Sequence, residues 1–181
     1  MRRKTLDLLL NWVGTLMTSI LIVAGIGMLV GYSFTSSQVK SQLIEQKVFF
    51  PKVGERDYQD LVKVNLTSLA GQQVLTGSQA QIFANDIIGV DTAAIAGGKT
   101  YAELSAASLA DPSNTGLANQ VELVFRGDTL RGLLLNAYAF GFIGQIAFYG
   151  ALGCFLAALL MLVLTLLGIR HYRQADPSEI V

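Results

Sequence analysis

Hydrophobic positions follow two regimes along this chain. From Leu8 to Phe34, and again from Gly132 to Ile169, they run on without an Asp, Glu, Lys or Arg. Between these stretches they recur at intervals of three and four among polar residues, the signature of short amphipathic helices. Each charge-free stretch exceeds the roughly 20 apolar residues that cover about 30 Å of hydrocarbon as a helix. The pattern predicts a mostly α protein: a two-helix transmembrane hairpin with a small helical extracytoplasmic domain inserted between its arms. It divides the chain into a cytoplasmic N-terminus (1–7), transmembrane helix 1 (8–32), the inserted domain (33–131), a stalk or interfacial helix (132–145), transmembrane helix 2 (146–169) and a cytoplasmic tail (170–181).

The second apolar run carries the stalk assignment. A continuous helix from Gly132 to Ile169 would reach roughly 57 Å, nearly twice the hydrocarbon thickness. Asn136, Tyr138, Gln145 and Tyr149 fall in its first half. Leu133 to Phe148 is therefore expected to close the core of the inserted domain, with a partner subunit as the other cover for the same surface.

Within the inserted segment, Ser36 and Ser37 can cap a short amphipathic helix through Lys47, with Val39, Leu43 and Ile44 on one face, that continues the first apolar run and is ended by Phe49-Phe50-Pro51, since the residue before proline avoids helical geometry. Asp57 to Leu69 reads either as an amphipathic helix or, through Val62, Val64 and Leu66, as a short strand. Gly71 to Gly77 reads as a connector. Ser78 is expected to cap a helix with Ile82, Phe83, Ile87, Val90 and Ala94 inward, stopped by Gly97-Gly98. Thr100 and Glu103 have the spacing of a capping box, which starts a helix that ends before Pro112. Ser113 or Asn114 opens another with Leu117, Val121, Val124 and Phe125 inward, and Gly127-Asp128 is expected to interrupt or bend it.

Charge sets the expected orientation. Arg2, Arg3 and Lys4 precede the first run, and Arg170 and Arg173 follow the second. The inner flanks hold Lys40, Arg126 and Arg131. By the positive-inside rule both termini are cytoplasmic and residues 33–131 lie outside the plasma membrane. The first apolar run is longer than the 7–15-residue core of a signal peptide, so it reads as an uncleaved anchor. The 13 Lys/Arg balance the 13 Asp/Glu overall. Seven cations face ten acids between Lys40 and Asp128, a balance that disfavours nucleic-acid binding.

Small residues interrupt both runs. Gly27 and Gly31 form a GxxxG pair, and Ala147, Ala151, Cys154 and Ala158 recur at spacings of four, three and four. Helices in lipid associate through close backbone approach, which small residues permit. These six are the candidate helix-packing residues, serving the hairpin itself or contacts with other subunits, a homo-oligomer among them.

Candidate chemistry is sparse. His171 is the single histidine and Cys154 the single cysteine. A disulfide within the chain, a Cys/His zinc site, bis-histidine haem ligation and a 2-His-1-carboxylate iron site therefore fail on count. A Ser/His/Asp triad has no histidine in the inserted domain. Asp57 and Asp60 fall on one helical turn, and Asp86 and Asp91 on one helix, which leaves Ca²⁺ ligation or a carboxylate pair as the residual chemistry; solvated charges are the plainer reading. Gly97-Gly98-Lys99-Thr100 has the end of a phosphate loop, but Ala93 stands where its first glycine belongs. We expect no catalytic, cofactor-binding or metal-binding residues.

The segments Gln46–Pro51, Ala70–Gly77, Ala96–Glu103, Ser108–Pro112 and Phe125–Phe140 together resemble a family of small actinobacterial integral membrane proteins with two transmembrane helices flanking an extracytoplasmic domain. That resemblance implies a lineage and no site residues. Some members carry a ring-opening dioxygenase label, and a chain with His171 alone lacks the histidines such an iron enzyme uses. The expected function is a non-enzymatic accessory or assembly subunit of a larger plasma-membrane or envelope complex, with a respiratory assembly as one host. Its partners would be the lipid bilayer and one or more membrane proteins. The alternative is an extracytoplasmic ligand sensor that signals through a partner.

Overall fold

The computed structural model describes residues 3–174, so Arg2 of the basic flank and residues 175–181 of the tail lie outside the described residues. The elements are α1 (Arg3–Gln46), α2 (Tyr58–Lys63), a 3₁₀ turn (Thr67–Leu69), α3 (Gly77–Ile82), a π-helical stretch (Phe83–Ile88), α4 (Gly89–Ala96), α5 (Tyr101–Ala110) and α6 (Thr115–Gln174). Among the described residues there is no strand, and the β pairing is the isolated antiparallel bridge Phe49–Gln73. The alternating pattern at Val62, Val64 and Leu66 is thus not a strand. Asn65 takes a left-handed conformation there (φ 57°) and divides α2 from the 3₁₀ turn.

The described residues form two compact units, one drawn from the stretches up to Phe34 and from Gly144 onward, the other from Thr35 to Ile143. The stretch assigned as a stalk, 132–145, falls almost entirely within the second unit, whose core it is expected to close. Leu134 explains this, because it is buried in that unit's main core with Val39, Leu43, Phe50, Leu61, Val74, Ala80, Ala84 and Ile87. Phe50 meets Phe83 edge-on at 5.5 Å between ring centroids. A smaller cluster joins Ala96, Leu104 and Val124, flanked by Leu117 and Val121.

Local chemistry sets the ends of these helices. α1 stops at Gln46, before Phe49-Phe50-Pro51, where Lys47 turns left-handed (φ 52°). The Ile44 carbonyl exposed by that ending accepts from the Lys47 N–H at 3.2 Å and from the Gln73 side chain at 3.1 Å. α3 is capped by Thr76, not by Ser78. The Thr76 hydroxyl accepts from the Gln79 N–H while the Gln79 side chain accepts from the Thr76 N–H, a reciprocal capping box. Thr100 and Glu103 form the second such box, with Thr100 N to Glu103 Oε2 at 2.7 Å. Gly97 ends α4 in the left-handed region (φ 59°), which glycine adopts without steric cost.

Three expectations about helix continuity and facing are corrected, and the simplest is Phe125, expected inward but 55% exposed beside the buried Val124. α6 runs unbroken for 60 residues through Gly127-Asp128. Gly127 admits the Thr92 side chain against the α6 backbone instead of bending it. From Gly77 to Ala96 the buried residues are Gly77, Ala80, Ala84, Ile87, Thr92 and Ala96, while Val90 and Ala94 are exposed. The π-helical turn at Phe83–Ile88 takes more residues per turn than an α-helix, so the buried face slips in phase beyond Ile87. Asn85 on that turn accepts from Arg131 Nη2 at 3.0 Å.

The first unit pairs the apolar parts of α1 and α6 as antiparallel helices. Gly14 lies against Thr165, Gly25 against Phe155, and Met28 against Gly150. Tyr32 and Phe148 stack at 5.1 Å between centroids. The α6 residues buried in this unit are Gly144, Ala151, Ala158 and Thr165, small residues repeating every seven positions. That period brings one face of a slightly supercoiled helix back to the seam. The two buried hydroxyls are satisfied inside their own helices: Thr18 donates to the Gly14 carbonyl at 2.8 Å and Thr165 to the Met161 carbonyl at 2.7 Å. This lets a polar side chain occupy an apolar seam without an unpaired group.

Candidate functional site

Two features merit a functional reading, the helix seam of the first unit and a carboxylate cluster of the second. At the seam, Ala151 and Ala158 are buried, and Ala147 and Cys154 half-buried on the same side. Gly27 and Gly31 do not lie on that seam. A Cβ added at either would meet no other atom within 4 Å. The glycines of α1 that do take part are Gly14 and Gly25. At Gly25 an added Cβ would come within 2.9 Å of the Phe155 ring. Their signal is the seven-residue register Gly14, Leu21, Met28 with Thr18, Gly25, Tyr32, which a search for GxxxG passes over.

Both helices are long and apolar enough to cross a membrane. Their most apolar windows are only 17% and 11% buried within the chain. Large side chains such as Leu10, Val23, Val30, Leu156 and Leu160 point outward, each more than 60% exposed. A core helix of a water-soluble domain buries such residues, so the burial pattern sets these two helices apart from that class.

The carboxylate cluster is assembled from three places. Asp57 precedes α2, Asp60 lies in its first turn, and Asp91 is on α4 just past the π-helical stretch. Their nearest oxygens lie within 4.8 Å of one another. Asp86, the other acid of the sequence-level pair, is not in the group. Two cations enter it. Arg56 Nε meets Asp57 Oδ1 at 2.7 Å, and its terminal nitrogen pairs with Asp91. Lys63 Nζ meets Asp60 Oδ1 at 2.7 Å. Asp60 is 8% exposed and pairs with Lys63 on the same helix. A cavity of about 290 Å³ opens beside these groups, with Val90 and Ala94 on its wall.

Electrostatics within the cluster are balanced against each other. Burial holds the Asp91 carboxyl above the ordinary Asp range, with repulsion from Asp57 adding to it and attraction from Arg56 opposing it. The hydrogen bond to Asp57 comes first among the causes that raise Arg56, followed by the attraction of Asp91. Three oxygens at this spacing are the donor type a hard cation such as Ca²⁺ takes. The guanidinium and ammonium already occupy that role, leaving three carboxylates against two cations. The arrangement ties the loop before α2 to α4 through Arg56 and Asp91.

What these features define is a predominantly helical chain in which two long apolar helices flank a smaller helical unit. Comparison with protein-family models, with curated proteins and with solved structures yields no match.

Proposed function

We propose that this chain is a non-enzymatic integral membrane protein acting as an accessory or assembly subunit of a larger plasma-membrane or envelope complex. In this reading α1 and α6 cross the bilayer, both termini are cytoplasmic, and residues 33–131 lie outside. The observation that carries it is the inverted burial of the first unit, with small residues at the seam and large aliphatic residues facing outward. Helices arranged this way place their apolar surface against lipid or another membrane protein. In the second unit the carboxylates are paired with Arg56 and Lys63 of the same chain, which favours a structural cross-link over catalysis. Membership of an actinobacterial lineage, and a respiratory complex as the host, belong to the same proposal and rest on sequence resemblance.

The test is mild-detergent purification of the tagged protein from its native membrane, followed by native electrophoresis and mass spectrometry. Co-migration with stoichiometric membrane-protein partners supports the proposal, and recovery of the chain alone or as a small homo-oligomer overturns it. The second result would turn attention to the cavity beside Arg56, Asp57, Asp60, Lys63 and Asp91, which favours the alternative of an extracytoplasmic sensor for a small polar ligand that signals through a partner.

A further inference from the structure

The first unit contains a groove of about 410 Å³ at the end where α1 begins and α6 finishes. Leu8, Asn11 and Trp12 line it from α1, and Ile169, Tyr172 and Arg173 from α6. It exists because the helices approach closely just beyond it, where Gly168 lies against Asn11 and Gly14 against Thr165. Those contacts hold the helices together while the larger side chains at Leu8, Trp12 and Tyr172 splay around an opening.

The lining is graded. Leu8, Ile169 and the Trp12 ring offer apolar surface, and the Asn11 amide, the Tyr172 hydroxyl and the Arg173 guanidinium offer polar groups. Trp12 is 70% exposed, the placement of an amphipathic ring at a membrane interface. Arg173 can present parallel N–H donors to a phosphate. The same ends of the chain carry five cations in the sequence (Arg2, Arg3, Lys4, Arg170, Arg173) against three acids (Asp7, Asp176, Glu179). Asp7 is not among the residues that line the groove. A ligand with an apolar tail and a negatively charged head matches the surface and the field together.

We propose that this groove is a binding site for an anionic phospholipid, with an acyl chain against Leu8, Trp12 and Ile169 and the headgroup phosphate on Arg173 and Tyr172. The proposal rests on the membrane reading given above. It goes beyond that reading by naming a ligand class and the residues that select it. A juxtamembrane cation contributes about 1 kcal/mol of attraction to an anionic lipid surface, so one guanidinium corresponds to roughly a fivefold preference.

The experiment uses the full-length protein purified in mild detergent and native mass spectrometry with phosphatidylglycerol and phosphatidylcholine of identical acyl chains. Phosphatidylglycerol should be retained about fivefold more strongly. Arg173→Gln should abolish the preference and Arg173→Lys should restore most of it. Trp12→Ala should weaken both lipids alike. Arg170→Gln, at the same end but not lining the groove, should leave most of the preference in place. Equal retention of the two lipids overturns the proposal, as does an equal loss in Arg170→Gln and Arg173→Gln, which would show diffuse attraction and no site. Membranes from the same preparation are washed at alkaline pH. Release of the protein would overturn the membrane reading and the lipid site together, whereas retention with equal lipid binding would overturn the lipid site alone.

Discussion

The two units are built on opposite rules. The core of the second is built from large apolar side chains: Phe50, Leu43, Leu61, Leu104 and Val74 are essentially inaccessible. In the first, glycine, alanine and threonine occupy the interior, and leucine, isoleucine and valine face outward. One chain in one solvent has no reason to follow both. In water the hydrophobic effect drives the largest apolar residues together, whereas in lipid those residues gain nothing by leaving the surface and association rests on close backbone contact. On the proposed membrane reading, the two units answer to different surroundings.

Substitutions that exchange the two rules should reveal it. The largest expected effect is at the inward-facing core of the second unit, where Phe50→Ala should cost about 3–5 kcal/mol, read as the loss of thermal stability of the full-length protein in detergent. Next are the tight crossings. Gly25→Leu drives a side chain into Phe155, and overpacking of this kind costs about 1–3 kcal/mol; Gly27→Leu, where space is open, should leave the helix pair intact. Crosslinking yield between cysteines introduced at Leu21 and Ala158 in a Cys154→Ser background would separate the two variants. Equal yields would mean that the seam is not the one described. A parallel case in the second unit is Gly77→Ala, where the new methyl would come within 2.9 Å of the Ala137 carbonyl, with a cost of the same order.

Smaller effects belong to caps and charges. Thr100→Ala removes one half of a capping box and should destabilise by about 1 kcal/mol, without altering the crosslinking of α1 and α6. Glu103, held below the usual Glu range first by the Thr100 backbone N–H and then by the Thr100 hydroxyl, contributes stability that is present above the ordinary value of 4.5 and is lost as pH falls through its depressed folded-state value. Glu103→Gln should therefore flatten the acid limb of the stability profile. Asp91 has the opposite sign. Its folded carboxyl is raised, so its charged form opposes folding above that raised value. The penalty fades as pH falls through it and is gone below the ordinary value of 3.8. Asp91→Asn should be slightly more stable than wild type at pH 7, by under about 1 kcal/mol, with the gap closing in acid.

Much of this architecture was legible in the residues because it rests on composition and local chemistry. The two apolar runs, the Thr100 and Glu103 box and the Gly97 stop each depend on neighbours in sequence. What escaped depends on phase or on distance. The π-helical turn at Phe83–Ile88 carries no residue signature, so an α-helical period placed Val90 and Ala94 inward when they are exposed. Gly127 resembles a helix breaker until Thr92 is seen to fill the space beside it. The Thr76–Gln79 box is the exception, since its spacing is as local as that of Thr100 and Glu103, and it favours Thr76 over Ser78 as the cap. The seam of α1 was misplaced because GxxxG is a local pattern, whereas the pairing of Gly14 with Thr165 and of Gly25 with Phe155 is set by antiparallel register. The carboxylate cluster was half visible: Asp57 and Asp60 are adjacent on a turn, but Asp91 joins them only through the tertiary fold.

The most direct test of the account is topology. A single cysteine at Ser113, in a Cys154→Ser background, would be treated in intact cells with a membrane-impermeant maleimide, and the membranes then washed at alkaline pH. The account predicts labelling without permeabilisation and a protein that stays in the membrane pellet. Labelling only after permeabilisation, or release of the protein by the wash, would contradict it.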